Sequence, residues 1–288
     1  MHTHILPTVH TTRTSFSLQT SIGTQANPTL SYNEKEIHPF QPAPTASPSN
    51  QCHHDVSASL GLNRHGHGCH SPAQPDLGRI PHRSPSLQVH ACPKLAVASY
   101  NKTVPDQAPF PHTEVALCYT DDSINMAFSA INETNFYYDP SQGTNDAIWE
   151  YEVMETFIAL GDKDPQTYLE FEVNPNNVTF QAFIYNPGKV RADGASFETF
   201  FINNTLETGF TASTTQDRSQ KIWGSSVTIP LGLFNVDNGT AQGTKWRMNF
   251  FRTVVAPDTF PNQTLGAWSP PDKASFHMTP FFGHVEFI

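Results

Sequence analysis

Asn145-Asp-Ala-Ile-Trp149-Glu150-Tyr151-Glu152-Val153-Met154-Glu155-Thr156-Phe157-Ile158 sets one large aromatic side chain beside three carboxylates and then runs into an apolar end. Read as a strand, its alternation places Trp149, Tyr151, Val153, Glu155 and Phe157 on one face. Glu150, Glu152, Met154 and Ile158 fall on the other. A bulge or bend near Val153 would turn Trp149 and a carboxylate toward one surface. An indole flanked by acids suits a sugar ring, whose apolar face stacks on the aromatic while its hydroxyls meet the carboxylates. The plainer reading is a core tryptophan in a half-buried strand with solvated acids.

The pattern around this stretch is one of short alternating apolar runs. Strands are predicted near Leu95–Tyr100, Glu114–Tyr119, Ile124–Ala130, Ile148–Leu160, Tyr168–Val173, Val178–Ile184, Phe197–Phe201, Gly209–Ala212, Lys221–Ile229, Lys245–Val254 and Gly283–Ile288. Turn chemistry separates them, as in Thr120-Asp-Asp-Ser123, Asn174-Pro-Asn-Asn177, Asn186-Pro-Gly188 and Asp237-Asn-Gly239. Pro230-Leu-Gly-Leu-Phe234 reads as a single helical turn. Many short strands and little helix predict an all-β chain folded as an antiparallel β-sandwich of jelly-roll-like form. No internal repeat is visible.

Composition divides the chain near residue 90. Residues 1–90 hold 11 of the 14 His and 10 of the 24 Pro, but only three of the 33 aromatics. They are expected to be a disordered His/Pro/Ser/Thr-rich segment, with residues 91–288 forming the sandwich. Within the first segment, Cys52-His53-His54 and His65-Gly-His67-Gly-Cys69-His70 carry metal-binding side chains, without the spacing of a closed tetrahedral site or apolar surroundings to fold around it. Adventitious nickel or zinc binding is the expectation there.

Charge is divided as well. Five of the 16 basic and four of the 26 acidic residues precede residue 91, so the remainder carries 11 basic against 22 acidic, a net of −11. Such a domain is a poor partner for nucleic acid or an anionic membrane, which need clustered Lys and Arg, whereas neutral glycans remain compatible. No apolar run is long enough to span a bilayer.

Six Asn-x-Ser/Thr sequons lie at Asn101, Asn132, Asn177, Asn203, Asn238 and Asn262, and none precedes residue 91. They predict a secreted, extracellular glycoprotein. The N-terminus, Met-His-Thr-His-Ile-Leu-Pro, lacks the basic and apolar regions of a signal peptide. One resolution is that the first ~90 residues are a misassigned start. Four Cys allow three pairings; Cys92 and Cys118, which share the domain, are the pair expected from domain membership.

Three further segments carry aromatic and polar residues in a recognisable order. They are Ile229-Pro230-Leu231, Trp246-Arg247-Met-Asn249-Phe-Phe-Arg252, and Trp268-Ser-Pro followed by Phe276-His277, Pro280 and Phe282-Gly283. Together with Trp149, Glu155, Phe157 and Ile158, their order resembles carbohydrate-binding module family 9, over about Val115 to Ile288. In that family two aromatics sandwich a terminal sugar and an acid holds its hydroxyls. The resemblance implies Trp149 as the first aromatic, Glu155 as the acid and Phe276 as the second aromatic. Phe276 stands where the family more often has Trp, and it offers a smaller face and no N–H donor. Trp268 and Arg252 are candidate ligand contacts, although packing under the last strand and an ion pair with a carboxylate such as Glu155 are their plainer readings. Lys273 and His277 lie in the same loop.

Several family members carry structural calcium. Asp121, Asp122 and Glu170 are the oxygen donors expected to hold it here, or else to occupy a turn and a solvated strand face. No other cofactor is implied. The function implied is non-catalytic binding of a plant or cell-wall polysaccharide or its chain end, in support of glycan breakdown by a separate glycoside hydrolase. Two alternatives stay open. One is a structural or cell-surface glycoprotein that has lost sugar binding. The other is a haem-binding sandwich of an oxidoreductase type using Met248, Met278 or His277, whose adjacent His277 and Met278 cannot both flank one iron. An acid/base pair among Glu150, Glu152 and Glu155 would sit on one strand, and acids so placed cannot straddle a glycosidic bond.

Overall fold

The computed structural model describes residues 83–192 and 194–288. The His-rich cysteine tract and most of the segment expected to be disordered lie outside the described residues. The domain itself begins earlier than the compositional step. Ser86–Val89 forms a first strand, β1, and Val89 is fully buried. Four residues of Ser-Leu-Gln-Val inside a Pro/Ser-rich stretch carry too little period to be read as a strand.

The remaining strands are β2 (Ala96–Lys102), β3 (Pro109–Tyr119), β4 (Ser123–Ile131), β5 (Val153–Leu160), β6 (Thr167–Val173), β7 (Thr179–Tyr185), β8 (Glu198–Phe201), β9 (Thr211–Asp217), β10 (Ile222–Pro230), β11 (Lys245–Val254), β12 (Thr264–Ala267) and β13 (Gly283–Phe287). The only α-helix among the described residues, α1, is the four residues Thr205–Thr208. Every predicted strand is present, and Leu231–Phe234 is the expected helical turn, in 3-10 form. The strand expected from Ile148 starts instead at Val153, because Ile148–Glu150 forms a 3-10 turn. β12, with a glycine among its four residues, was as silent in the sequence as β1.

The strands form two sheets. One has the order β2-β3-β4-β10-β9. The other runs β1-β13-β11-β5-β6-β7-β8, with β12 also paired to β11. All pairs are antiparallel except β1 with β13. This is the expected β-sandwich. Leu117, Ile124, Met126 and Phe128 from one sheet meet Met154, Ile158, Leu169, Phe171, Trp246, Met248 and Phe250 from the other. Trp223 and Trp246 are fully buried here, as strand alternation requires. The expected Cys92–Cys118 disulfide is formed and ties the segment after β1 to β3.

The larger sheet is covered on its outer face too. Val153, Phe157, Tyr168, Phe180, Ala182 and Phe251 make a second apolar cluster, closed by Phe276 and Phe282. The segment carrying those two rings is fastened to β11 by polar side chains of the Trp-Arg-x-Asn motif. Arg247 donates to the Phe282 carbonyl and pairs with Asp164. Asn249 Nδ2 donates to the Ser269 carbonyl at 2.7 Å, and its Oδ1 accepts the Ser269 N–H at 2.9 Å. A sheet face that would otherwise be solvated is thereby roofed, and charged residues on it become buried. All six sequon asparagines are exposed. Among the described residues no helix is long and apolar enough to cross a membrane.

Candidate functional site

A cleft of about 380 Å³ opens on the outer face of the larger sheet, where the second apolar cluster ends. Trp149 stands at its mouth. The 3-10 turn that carries it is anchored by fully buried Ile148, and Gln263 Nε2 fixes its end by donating to the Trp149 carbonyl at 2.6 Å. The indole is 42% exposed and packs edge-on against Phe180, with ring centroids 5.3 Å apart. The backbone is extended at Tyr151, between this turn and β5. The 3-10 turn and the bend at Tyr151 stand in place of the bend anticipated near Val153, and Trp149 and Glu155 line one cleft.

The floor is acidic. Glu155 on β5 lies opposite Glu172 on β6, and Glu170 comes two residues before Glu172 on the same face. Carboxylate oxygens of the three lie within 4.8 Å of one another, and no residue of the three is more than 6% exposed. Burial, reinforced by the neighbouring carboxylates, holds Glu155 and Glu172 well above the usual carboxylate range. Burial likewise pushes Glu170 up to about 8, against the pull of the Arg191 charge. Like charges directly opposite across a strand pair repel, so this arrangement costs stability unless a proton or cation is shared.

His277 completes the inner wall. Its Nδ1 is hydrogen-bonded to the Tyr168 hydroxyl at 2.7 Å, its ring stacks on Phe157, and its Nε2 is 3.8 Å from Glu170 Oε1. Burial and the Arg191 charge push it down to about 3, so the imidazole is neutral at physiological pH. On the rim, the exposed Arg191 lies 4.5 Å over the Phe197 ring, which meets His277 edge-on.

The expected ligand residues separate into two groups. Trp149, Glu155 and Phe276 line this one cleft. Phe276, however, is only 8% exposed and stacks on Phe251 at a 4.2 Å centroid distance. One of its faces is spent on the protein, so it closes the cleft's end and cannot mirror Trp149 as a free stacking surface. Trp268 is not in the cleft. It packs against the core between the sheets, tilted on Phe250, with Gly283 beneath its ring. Arg252 is also elsewhere, because strand alternation turns it inward. It pairs with Glu133 rather than Glu155, and it donates to Thr113 Oγ1.

The expected calcium set is likewise not assembled. Asp121 and Asp122 sit in the β3–β4 turn, where their carbonyls accept from Gly239 and Leu231 N–H, while Glu170 belongs to the other sheet. Nor does the structure bring the haem-type residues together. Met248 lies in the core between the sheets and His277 on the outer face.

Glu172, Arg191, Phe197 and Gln263 were not anticipated as site residues. Tyr-Leu-Glu-Phe-Glu-Val looks like a strand with a solvated acidic face, and only the roof formed by the segment through Phe276 buries it.

No protein-family model matches the chain. It is 57% identical over 204 residues to an extracellular protein of Arthroderma benhamiae, a match covering 71% of this chain and 91% of the relative. A Bacteroides uniformis structure, for which carbohydrate binding has been proposed, is similar with a TM-score of 0.51 and 16% identity, over 72% of this chain and 100% of the other. Two structures of a family 9 carbohydrate-binding module from Caldicellulosiruptor kristjanssonii, bound to glucose and to cellotriose, give TM-scores of 0.45 and 0.43 at 12% identity. They cover 70% of this chain and 95% and 93% of theirs. At these identities the likeness is one of fold.

Proposed function

The chain belongs to one family with the extracellular protein of Arthroderma benhamiae, and from its outer-face cleft we propose that it is a secreted, non-catalytic carbohydrate-binding domain. The observation that carries this reading is that half-exposed Trp149 and buried Glu155 line one cleft. A pyranose laid on the indole removes apolar surface from both, and its hydroxyls fall toward groups that can hold them. Glu155 and the Thr253 hydroxyl lie on the floor, 3.4 Å apart, and Gln263 lines the same cleft. A single stacking wall, closed at one end by Phe276, suits a chain end better than the middle of a polymer. The ligand class proposed is a plant or cell-wall polysaccharide presented by its end.

The six exposed sequons, the disulfide and the relative's name support a secreted glycoprotein. Catalysis is not part of this reading. The three carboxylates stand on neighbouring strands of one sheet and form a floor, whereas glycoside hydrolysis needs two carboxylates flanking the scissile bond.

The test is a glycan array and polysaccharide pull-down with the full-length protein, using xylan, cellulose, glucan, mannan and chitin fragments. Retention on one of these, lost in Trp149→Ala, is expected. Release of reducing sugar from a bound polysaccharide, disappearing in Glu155→Gln while binding persists, would overturn the non-catalytic part. A second reading is favoured by the burial of Phe276 against Phe251: a cell-surface glycoprotein whose sandwich has lost its ligand. Absence of binding to every polymer would favour it.

A further inference from the structure

We propose that Glu155, Glu170 and Glu172 form a binding site for a hard divalent cation, Mn²⁺ or Ca²⁺, at the floor of the cleft. The three oxygens within 4.8 Å of one another come from two hydrogen-bonded strands, so their spacing is fixed by the sheet and not by mobile loops. Three buried carboxyl groups this close must share a proton or a cation. Among the described residues the one Lys or Arg lining the cleft, Arg191, is exposed at the rim over Phe197.

Two further observations point to a ligand. Glu172 is only 1% exposed, its side chain meets the Glu170 carboxyl, and among the described residues no N–H or hydroxyl donor reaches its Oε2. An orphaned carboxylate oxygen is costly, and a cation satisfies it where no protein donor reaches. The second is the set of His277. The Tyr168 hydroxyl holds Nδ1 at 2.7 Å and leaves Nε2 toward Glu170, at 3.8 Å and beyond hydrogen-bond length. Fixing one imidazole nitrogen so that the other faces a metal is the usual role of an outer partner in metal sites.

Carboxylate oxygens suit Ca²⁺ and Mn²⁺ and discriminate against soft ions, and a neutral imidazole at the edge is acceptable to Mn²⁺. The open side of the cleft leaves room for water or another oxygen ligand to complete the shell. This site shares Glu155 with the sugar reading, but it uses the three carboxyl groups of the floor and not the Trp149 face, so cation binding is tested without any glycan.

The test uses the full-length protein stripped with EDTA and titrated with Mn²⁺, Ca²⁺ and Mg²⁺ by calorimetry and by tryptophan fluorescence. One saturable site per chain for Mn²⁺ or Ca²⁺ is expected, with a dissociation constant below about 1 mM, the upper end for extracellular calcium modules. Glu172→Gln should weaken it at least about tenfold, as the loss of a ligand does when lesser outer-shell losses cost 10–100-fold. Asp121→Asn should leave it unchanged, and so should removal of the Cys52–His70 tract. Should the glutamine variant fail to fold, the wild-type protein still decides the matter. Calorimetry on the wild-type protein must then show saturable Mn²⁺ binding, with saturable quenching of tryptophan emission beside it. Absence of saturable Mn²⁺ or Ca²⁺ binding would overturn the proposal and leave the triad charged only by protons. Binding that survives Glu172→Gln undiminished would overturn it equally.

Discussion

Arg252 Nη2 lies 2.6 Å from Glu133 Oε2 in the interior between the two sheets, and each side chain is only 1% exposed. The pair joins β11 of the larger sheet to the segment following β4 of the smaller one. Thr113 on β3 accepts a further hydrogen bond from the same guanidinium. Glu133 itself is held by the N–H groups of Asn135 and Phe136. Removing one partner strands the other charge in the core. Glu133→Ala and Arg252→Ala should each cost about 3–5 kcal/mol in urea unfolding. The double substitution should cost clearly less than the sum of the two singles. Independent, additive losses would show that the two charges are separately solvated.

Trp149 separates binding from stability. Its exposed indole makes one edge contact with Phe180, so Trp149→Ala should change unfolding free energy by less than about 1 kcal/mol. Loss of aromatic stacking of about 1–1.5 kcal/mol should weaken polysaccharide binding roughly tenfold. Urea unfolding reads the first quantity, and affinity electrophoresis in the polymer that the wild-type protein binds reads the second. Unchanged mobility with an intact fold would remove Trp149 from the site.

Stability should fall as pH rises toward 8. Burial, with the Glu133 charge beside it, pushes Glu152 from the ordinary 4.5 up to about 8. The folded chain therefore keeps a proton on Glu152 that the unfolded chain has released. Its stabilising effect is complete below about pH 4.5 and is lost as pH climbs through about 8. His277, pushed down from 6.5 to about 3, works in the opposite sense, and its contribution stops changing above about pH 6.5. Between about pH 6.5 and 8.5, in EDTA, the melting temperature should decline. Glu152→Gln, which cannot ionise, should make that decline shallower without abolishing it, because Glu155, Glu170 and Glu172 are raised in the same sense. An equal slope in both proteins would show that Glu152 is ionised throughout.

The Phe-Gly pair near the C-terminus is explained by Trp268. A Cβ on Gly283 would run into the Trp268 ring. The same crowding occurs at Gly266, where Phe110 occupies the space. Gly283→Ala must displace Trp268 from Phe250 or shift β13, and should destabilise the domain by about 1–3 kcal/mol. The near-ultraviolet circular dichroism of the tryptophans should change with it. A variant with wild-type stability would mean that the ring has room to move.

Alternation made most of this fold legible, because apolar residues at every second position in Lys221–Ile229 or Lys245–Val254 leave little choice of element. It was least informative where a strand's polar positions are buried by something remote in sequence. Glu170 and Glu172 look like the wet face of β6, and only the segment held by Arg247 and Asn249 makes them a floor. Arg252 illustrates the same limit. Its position on β11 dictates an inward side chain, yet a guanidinium at a strand end reads as solvated until its buried partner is known. Trp149 and Glu155 were readable together because alternation put them on one face, but the same alternation carried the strand back to Ile148 and hid the 3-10 turn that holds Trp149.

The parallel pairing of β1 with β13 sets where the domain can be cut. Its register from Ser86 with His284 to Val89 with Phe287 covers one side of β13. A chain trimmed at the compositional step would uncover that row of N–H and C=O groups and leave an opening where Val89 was buried. A bare, partly apolar sheet edge of this kind invites a second molecule to add its own strand. The four residues of Ser-Leu-Gln-Val thus act as a guard against self-association.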